Sequence, residues 1–175
     1  MSHFSFLAET DGMAEIVGYN PERLNHFRMM VANLFRGPSE LSIADRELIM
    51  TYCSGLNACK FCVGAHGALA ESFGVDPEIL EALLASNDYE MVEPKLRPVL
   101  ALAKKLTESP ATVYEADIKA IVDAGWSEHA AHDAVCCIAA INFLNRLTDG
   151  HGVEGSSEYF DKMVEMMGPG AQSQG

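Results

Sequence analysis

Cys59 and Cys62 stand three residues apart, and His66 stands four beyond Cys62. At roughly 100° per residue, positions so spaced project from one face of a helix. Two thiols in that arrangement can close a disulfide. When reduced they can share a proton, which lowers the pKa of one of them. The thiolate, rather than the thiol, is the nucleophile toward peroxides and disulfides. His66 is spaced to take the proton of Cys62, directly or through a water. A base of this kind needs an orienting group. Glu47 lies twelve residues before Cys59, on the preceding helix. If the two helices pack side by side, its carboxylate can bind the far nitrogen of His66 and fix the tautomer. Taken alone, without the helix that follows, Glu47 reads as an ordinary solvated carboxylate.

A zinc site is the nearest competitor, since two cysteines and a histidine supply three of four ligands. No second Cys-x-x-Cys completes a common structural pattern, and the adjacent pair Cys136-Cys137 would point about 100° apart on a helix. Redox chemistry without a metal is therefore the expectation. The chain has five cysteines, an odd number, and the stretch Met1 to Asp11 does not read as a secretory signal. That argues against a disulfide framework and for thiols in a reducing compartment. His129, His132 and Cys136 repeat the three-and-four spacing. They are read as the border between a polar face and the core, with Cys136 or Cys137 packed inside. Asn142, Asn145 and Arg146 interrupt an apolar helix and predict a buried polar network or an interface contact. The nine methionines are read as core and interface packing.

The elements that must position these groups are all helical. Asn20-Pro21 opens a helix to about Phe35, and Gly37-Pro38 ends it. Ser42 with Asp45 forms a capping box for the helix that carries Glu47. Asn57 is expected to cap the next helix, which holds Cys59, Cys62 and His66 and stops at Gly74. Further helices are expected from Pro77 to about Ala85, Pro94 to about Thr107 and Glu115 to Ala124. Two more are expected, from Ser127 to about Leu147 and from Ser156 or Ser157 to Met167. No run alternates with β-branched enrichment, so no sheet is predicted.

With 175 residues, 49% apolar and 21% charged, the chain suits one globular domain. We place that domain at 1–167, followed by a disordered tail at 168–175. The net charge of −13 argues against nucleic-acid and anionic membrane partners. No apolar run approaches the roughly 20 residues of a membrane span. A cytoplasmic location is expected.

The stretch Ser42 to Gly74 resembles the alkylhydroperoxidase D-like group of the carboxymuconolactone decarboxylase superfamily. The residues that carry the likeness are Arg46-Glu47-Leu48-Ile49, Ser54-Gly55-Leu56-Asn57-Ala58-Cys59, Phe61-Cys62 and Ala65-His66-Gly67. The group's signature is a glutamate, eleven residues, then Cys-x-x-Cys-x-x-x-His, and Glu47, Cys59, Cys62 and His66 fit it without a gap. Ala124-Gly125-Trp126-Ser127 and the helix to Asn145-Arg146-Leu147 resemble the peroxidase-related branch. The likeness spans roughly residues 20 to 155.

The resemblance implies an all-α, single-domain antiparallel bundle of about seven to eight helices, assembled as a dimer, trimer or hexamer. It implies a thiol-dependent peroxidase with no bound organic cofactor. Glu47 and His66 would activate Cys62, which attacks the hydroperoxide. Cys59, nearer the helix start and more exposed, would resolve the product as a disulfide. A dithiol partner, a lipoyl domain or a thioredoxin-like protein, would then reduce it. Some members of the group carry a histidine between the two cysteines, where this chain has Phe61. Two other functions stay open: a disulfide reductase or redox-sensing oligomer, and a decarboxylase-type enzyme on the same fold.

Overall fold

The computed structural model describes residues 2–8 and 10–174, with side chains through Ala171. Nine α-helices and no strand occur among the described residues. They are α1 (Met13–Tyr19), α2 (Pro21–Arg36), α3 (Ile43–Leu56), α4 (Lys60–Ser72), α5 (Pro77–Ser86), α6 (Arg97–Glu108), α7 (Glu115–Asp123), α8 (Glu128–His151) and α9 (Ser157–Met167). Short 3-10 turns cover Pro110–Thr112 and Pro169–Gln174, the second within the stretch expected to be a disordered tail. Gly175 lies outside the described residues.

Local capping chemistry sets most helix starts. Asn20 accepts from Arg23 N ahead of Pro21, and the Ser42–Asp45 box closes in both directions. Asp76 and Ser127 cap α5 and α8, and Ser156 caps α9. The extra helix is α1. Its cap is Gly12, whose N–H donates to Glu15 Oε2 at 2.8 Å. Gly12 offers no capping side chain, so the start carries no residue signal. The sixth helix begins at Arg97 rather than Pro94, with Pro98 in its first turn.

α3 is the centre of the molecule. Nine consecutive residues, Arg46 to Ser54, are buried, because α4, α5, α6 and α8 surround the helix. α9 packs on the outer side of α4. A Cβ on Gly64 of α4 would collide with the ring of Phe160 on α9. That ring also meets Phe61 edge-on, at 5.8 Å between centroids. Gly64→Ala is expected to destabilise the fold by about 1–3 kcal/mol through overpacking. Urea unfolding of the two proteins measures this.

Candidate active site

The α3–α4 connection differs from the sequence expectation. Asn57 ends α3 rather than starting α4, and Cys59 itself is the N-cap of α4. The chain turns through Ala58, which has φ of +56°. A left-handed alanine is strained, at a cost on the order of 1 kcal/mol. It persists because the turn is tied on both sides. Cys59 N donates to Ser54 O at 3.0 Å. Asn57 Nδ2 donates to Asn145 Oδ1 at 2.8 Å and to Asn142 Oδ1 at 3.0 Å. Asn145 in turn donates to Ser54 Oγ, and Asn142 to Thr107 Oγ1, each at 3.0 Å. Asn142 and Asn145 thus belong to an internal polar network that holds the turn presenting the cysteines, and the exposed Arg146 donates to Asn142 O and Oδ1 from the surface.

The four predicted residues come together. His66 Nδ1 lies 2.7 Å from Glu47 Oε2, and Glu47 is wholly buried. The side-by-side packing of α3 and α4 is what delivers the carboxylate. Both cysteines are free thiols, and both are buried, Cys59 at 0% and Cys62 at 2% exposure. The expected greater exposure of Cys59 is therefore corrected. As N-cap it faces α8, whose Thr148 lies between the two sulfurs. Thr148 Oγ1 is 3.1 Å from Cys59 Sγ and 3.6 Å from Cys62 Sγ. No hydrogen bond joins His66 directly to Cys62 among the described residues; their link is electrostatic.

Sequence reasoning missed two further members, Thr148 and Arg36. Arg36 comes from the end of α2, and its Nη2 lies 2.5 Å from Glu47 Oε1. The buried carboxylate is thus held by two cationic partners, one on each oxygen. A buried charge is tolerable only when paired in this way. Nothing in the spacing of Arg36 to the motif announces this contact, since it depends on how α2 crosses α3.

The two thiols are driven apart. The hydrogen bond from Cys59 lowers Cys62 to about 6, with the charge of His66 helping and burial opposing. The same bond, together with burial, pushes Cys59 well up. Burial alone would pull His66 down, but the charge and hydrogen bond of Glu47 outweigh it and the net direction is up. Cys62 also sits in the first turn of α4, where the helix dipole favours an anion. Both shifts therefore run in one direction, toward the thiolate at Cys62 and the protonated form of His66. Alkylation of reduced protein by a small haloacetamide is expected to titrate at Cys62 with a midpoint of about 6. His66→Gln is expected to move that midpoint upward by removing the neighbouring charge.

Cys62 and His66 form the floor of a cavity of about 350 Å³. Phe35, Phe61, Leu144 and Met163 contribute apolar wall, and Tyr159 and the two arginines Arg28 and Arg36 complete it. Elsewhere, Cys137 is buried and Cys136 half-buried, with Cys136 Sγ 3.5 Å from His132 Nε2. No group of three or more metal-ligating side chains occurs among the described residues. No helix among them is long and apolar enough to cross a membrane.

Residues 21–105 match the carboxymuconolactone decarboxylase family. The chain is 26% identical over 130 residues to the uncharacterized protein YdfG of Bacillus subtilis, covering 74% of this chain and 88% of that protein. Its structure is similar to that of an uncharacterized peroxidase-related protein from Silicibacter, with TM-score 0.78, 28% identity, and coverage of 85% of this chain and 78% of that one. It also shares its fold with a peroxidase-related protein from Ralstonia eutropha described as an alkylhydroperoxidase AhpD core. There the TM-score is 0.79, the identity 21%, and the coverage 91% of this chain and 94% of that one. Residues 21–105 thus carry a segment similar to the carboxymuconolactone decarboxylase family, set in a helical fold shared with the two peroxidase-related proteins.

Proposed function

We propose that the protein is a thiol-dependent peroxidase that reduces organic hydroperoxides through Cys59 and Cys62. One observation carries the reading. The thiol lowered to about 6 stands on the floor of an apolar cavity, with a Glu47-held imidazole beside it. The Cys62 thiolate attacks the distal oxygen of the hydroperoxide. An S–O bond forms, the O–O bond breaks, and the alkoxide leaves as an alcohol with the proton of His66. Cys62 is then a sulfenic acid. Cys59 attacks its sulfur, the S–S bond forms, and the oxygen leaves as water with the Cys59 proton. Glu47 holds His66 in one orientation throughout, and Arg36 holds Glu47.

A dithiol returns both cysteines to the reduced state by exchange. The burial of both sulfurs favours a slender donor, such as a lipoyl-type arm, over the broad face of a thioredoxin-like protein. The same burial disfavours a protein disulfide as the substrate. We place the reaction in a reducing cytoplasm, where such a donor is maintained.

The test is consumption of cumene hydroperoxide with dihydrolipoamide as reductant. Wild type is expected to turn over, and Cys59→Ser and Cys62→Ser are each expected not to. Turnover that survives replacement of both cysteines, or its absence from wild type, overturns the reading.

A further inference from the structure

We infer that the cavity above Cys62 binds medium-chain, carboxylate-bearing amphipaths, with Arg28 as the anchor for the anionic head. On the peroxidase reading, on which the substrate assignment rests, this makes the substrate a fatty-acid-type hydroperoxide.

The burial of the lining gives the cavity a direction. Phe35, Phe61, Cys62 and His66 are buried and form the floor, whereas Arg28, Met166 and Met167 are exposed and form the mouth. A ligand that presents its reacting group to Cys62 must therefore leave its other end near Arg28. The wall between is apolar, with Val31, Leu144 and Met163. Unbranched methionine side chains adapt to a flexible chain better than rigid aromatic ones do. A cavity of about 350 Å³ is in the range of small-molecule sites and far larger than hydrogen peroxide needs.

Charge supplies the second observation. The protein carries 25 acidic residues against 12 lysines and arginines. Even so, Arg28 has no carboxylate partner among the described residues. Its guanidinium donates only to Asn25 Oδ1, at 3.1 Å. Arg36, in the same wall, is by contrast committed to the protein, its Nη1 donating to Phe35 O at 3.1 Å and its Nη2 paired with Glu47 Oε1. In so acidic a chain, the mouth of the cavity thus carries one guanidinium, that of Arg28, with no carboxylate of the protein paired to it among the described residues. A guanidinium beside an apolar channel suits a carboxylate, which it binds through two parallel hydrogen bonds. The reaction is balanced as above: the hydroperoxide becomes the hydroxy acid and water, and the Cys59–Cys62 pair becomes a disulfide.

The experiment measures binding, so that it reads independently of turnover. Reduced protein is titrated calorimetrically with decanoate and with decanol. Wild type is expected to bind decanoate about tenfold more tightly, the usual scale of one charge-assisted contact. Arg28→Gln is expected to bring decanoate to the level of decanol, leaving decanol unchanged, and Arg28→Lys to recover part of the difference. Equal binding of the two ligands by wild type, or a preference that survives Arg28→Gln, overturns the inference. Cumene hydroperoxide turnover is followed in parallel. Turnover without a preference for decanoate overturns the anionic-head assignment and leaves the peroxidase reading standing. A preference for decanoate without turnover supports the binding site and overturns the peroxidase reading.

Discussion

Cys62→Ser is expected to lose hydroperoxide reduction by more than about 10³-fold, the scale seen when a nucleophile is removed from a site whose groups act as a unit. Cys59→Ser is expected to fail differently. It loses sustained turnover but keeps a single reaction per molecule, because Cys62 still has its imidazolium neighbour. That variant loses the Cys59 hydrogen bond, the largest cause of the low Cys62 pKa, so its single reaction is also expected to move to higher pH. The product should be a sulfenic acid on Cys62, trapped by dimedone and located by peptide mapping. The asymmetry follows from the structure, since the two thiols share one hydrogen bond and one hydroxyl, Thr148, yet titrate in opposite directions. Equal single-turnover loss in both variants would place the nucleophile elsewhere.

The largest stability effect is expected at Glu47. Its carboxylate is wholly buried between Arg36 and His66. Glu47→Ala removes the shared acceptor of both cations and is expected to cost about 3–5 kcal/mol, as for other buried pairs broken on one side. For a chain of this length that corresponds to a fall in Tm on the order of 10 °C. Glu47→Gln keeps the volume and one carbonyl oxygen, so its loss is smaller and depends on pH. His66 is raised in the folded state. The stability it contributes is therefore full below its unfolded value and is lost as pH rises through its folded value. The His66 share of the wild-type advantage over Glu47→Gln should accordingly be greatest on the acid side of neutrality and shrink in alkali. Thermal unfolding of the two proteins across pH checks the sign. Glu47→Gln should also raise the alkylation midpoint of Cys62, because an imidazole without its carboxylate gives up its charge at lower pH.

These effects also show what a sequence can and cannot carry. Helix starts are local events, so those at Asn20, Ser42, Pro77 and Ser127 are legible from single side chains and their spacing. The likeness to a known motif and the shared face of Cys59, Cys62 and His66 brought the candidate site into view. Glu47 was legible only on the condition that α3 and α4 pack together, which they do. What stayed hidden is long-range. Arg36 lies eleven positions before Glu47, on a helix whose crossing places it there, and Thr148 reaches the sulfurs from α8. The expectation of an exposed Cys59 failed for the same reason. A position near a helix start says nothing of the neighbouring helix that covers it. The strained Ala58 turn is likewise invisible, since alanine carries no left-handed signal of the kind glycine gives.

The most direct measurement is a single turnover without added reductant. Fully reduced protein is mixed anaerobically with one equivalent of an organic hydroperoxide, and the alcohol and the disulfide are both quantified. One alcohol is expected per Cys59–Cys62 disulfide, formed at a rate that rises with pH around the Cys62 midpoint of about 6. Alcohol formed no faster than with the unfolded chain, or a disulfide that does not join Cys59 to Cys62, would contradict the peroxidase reading.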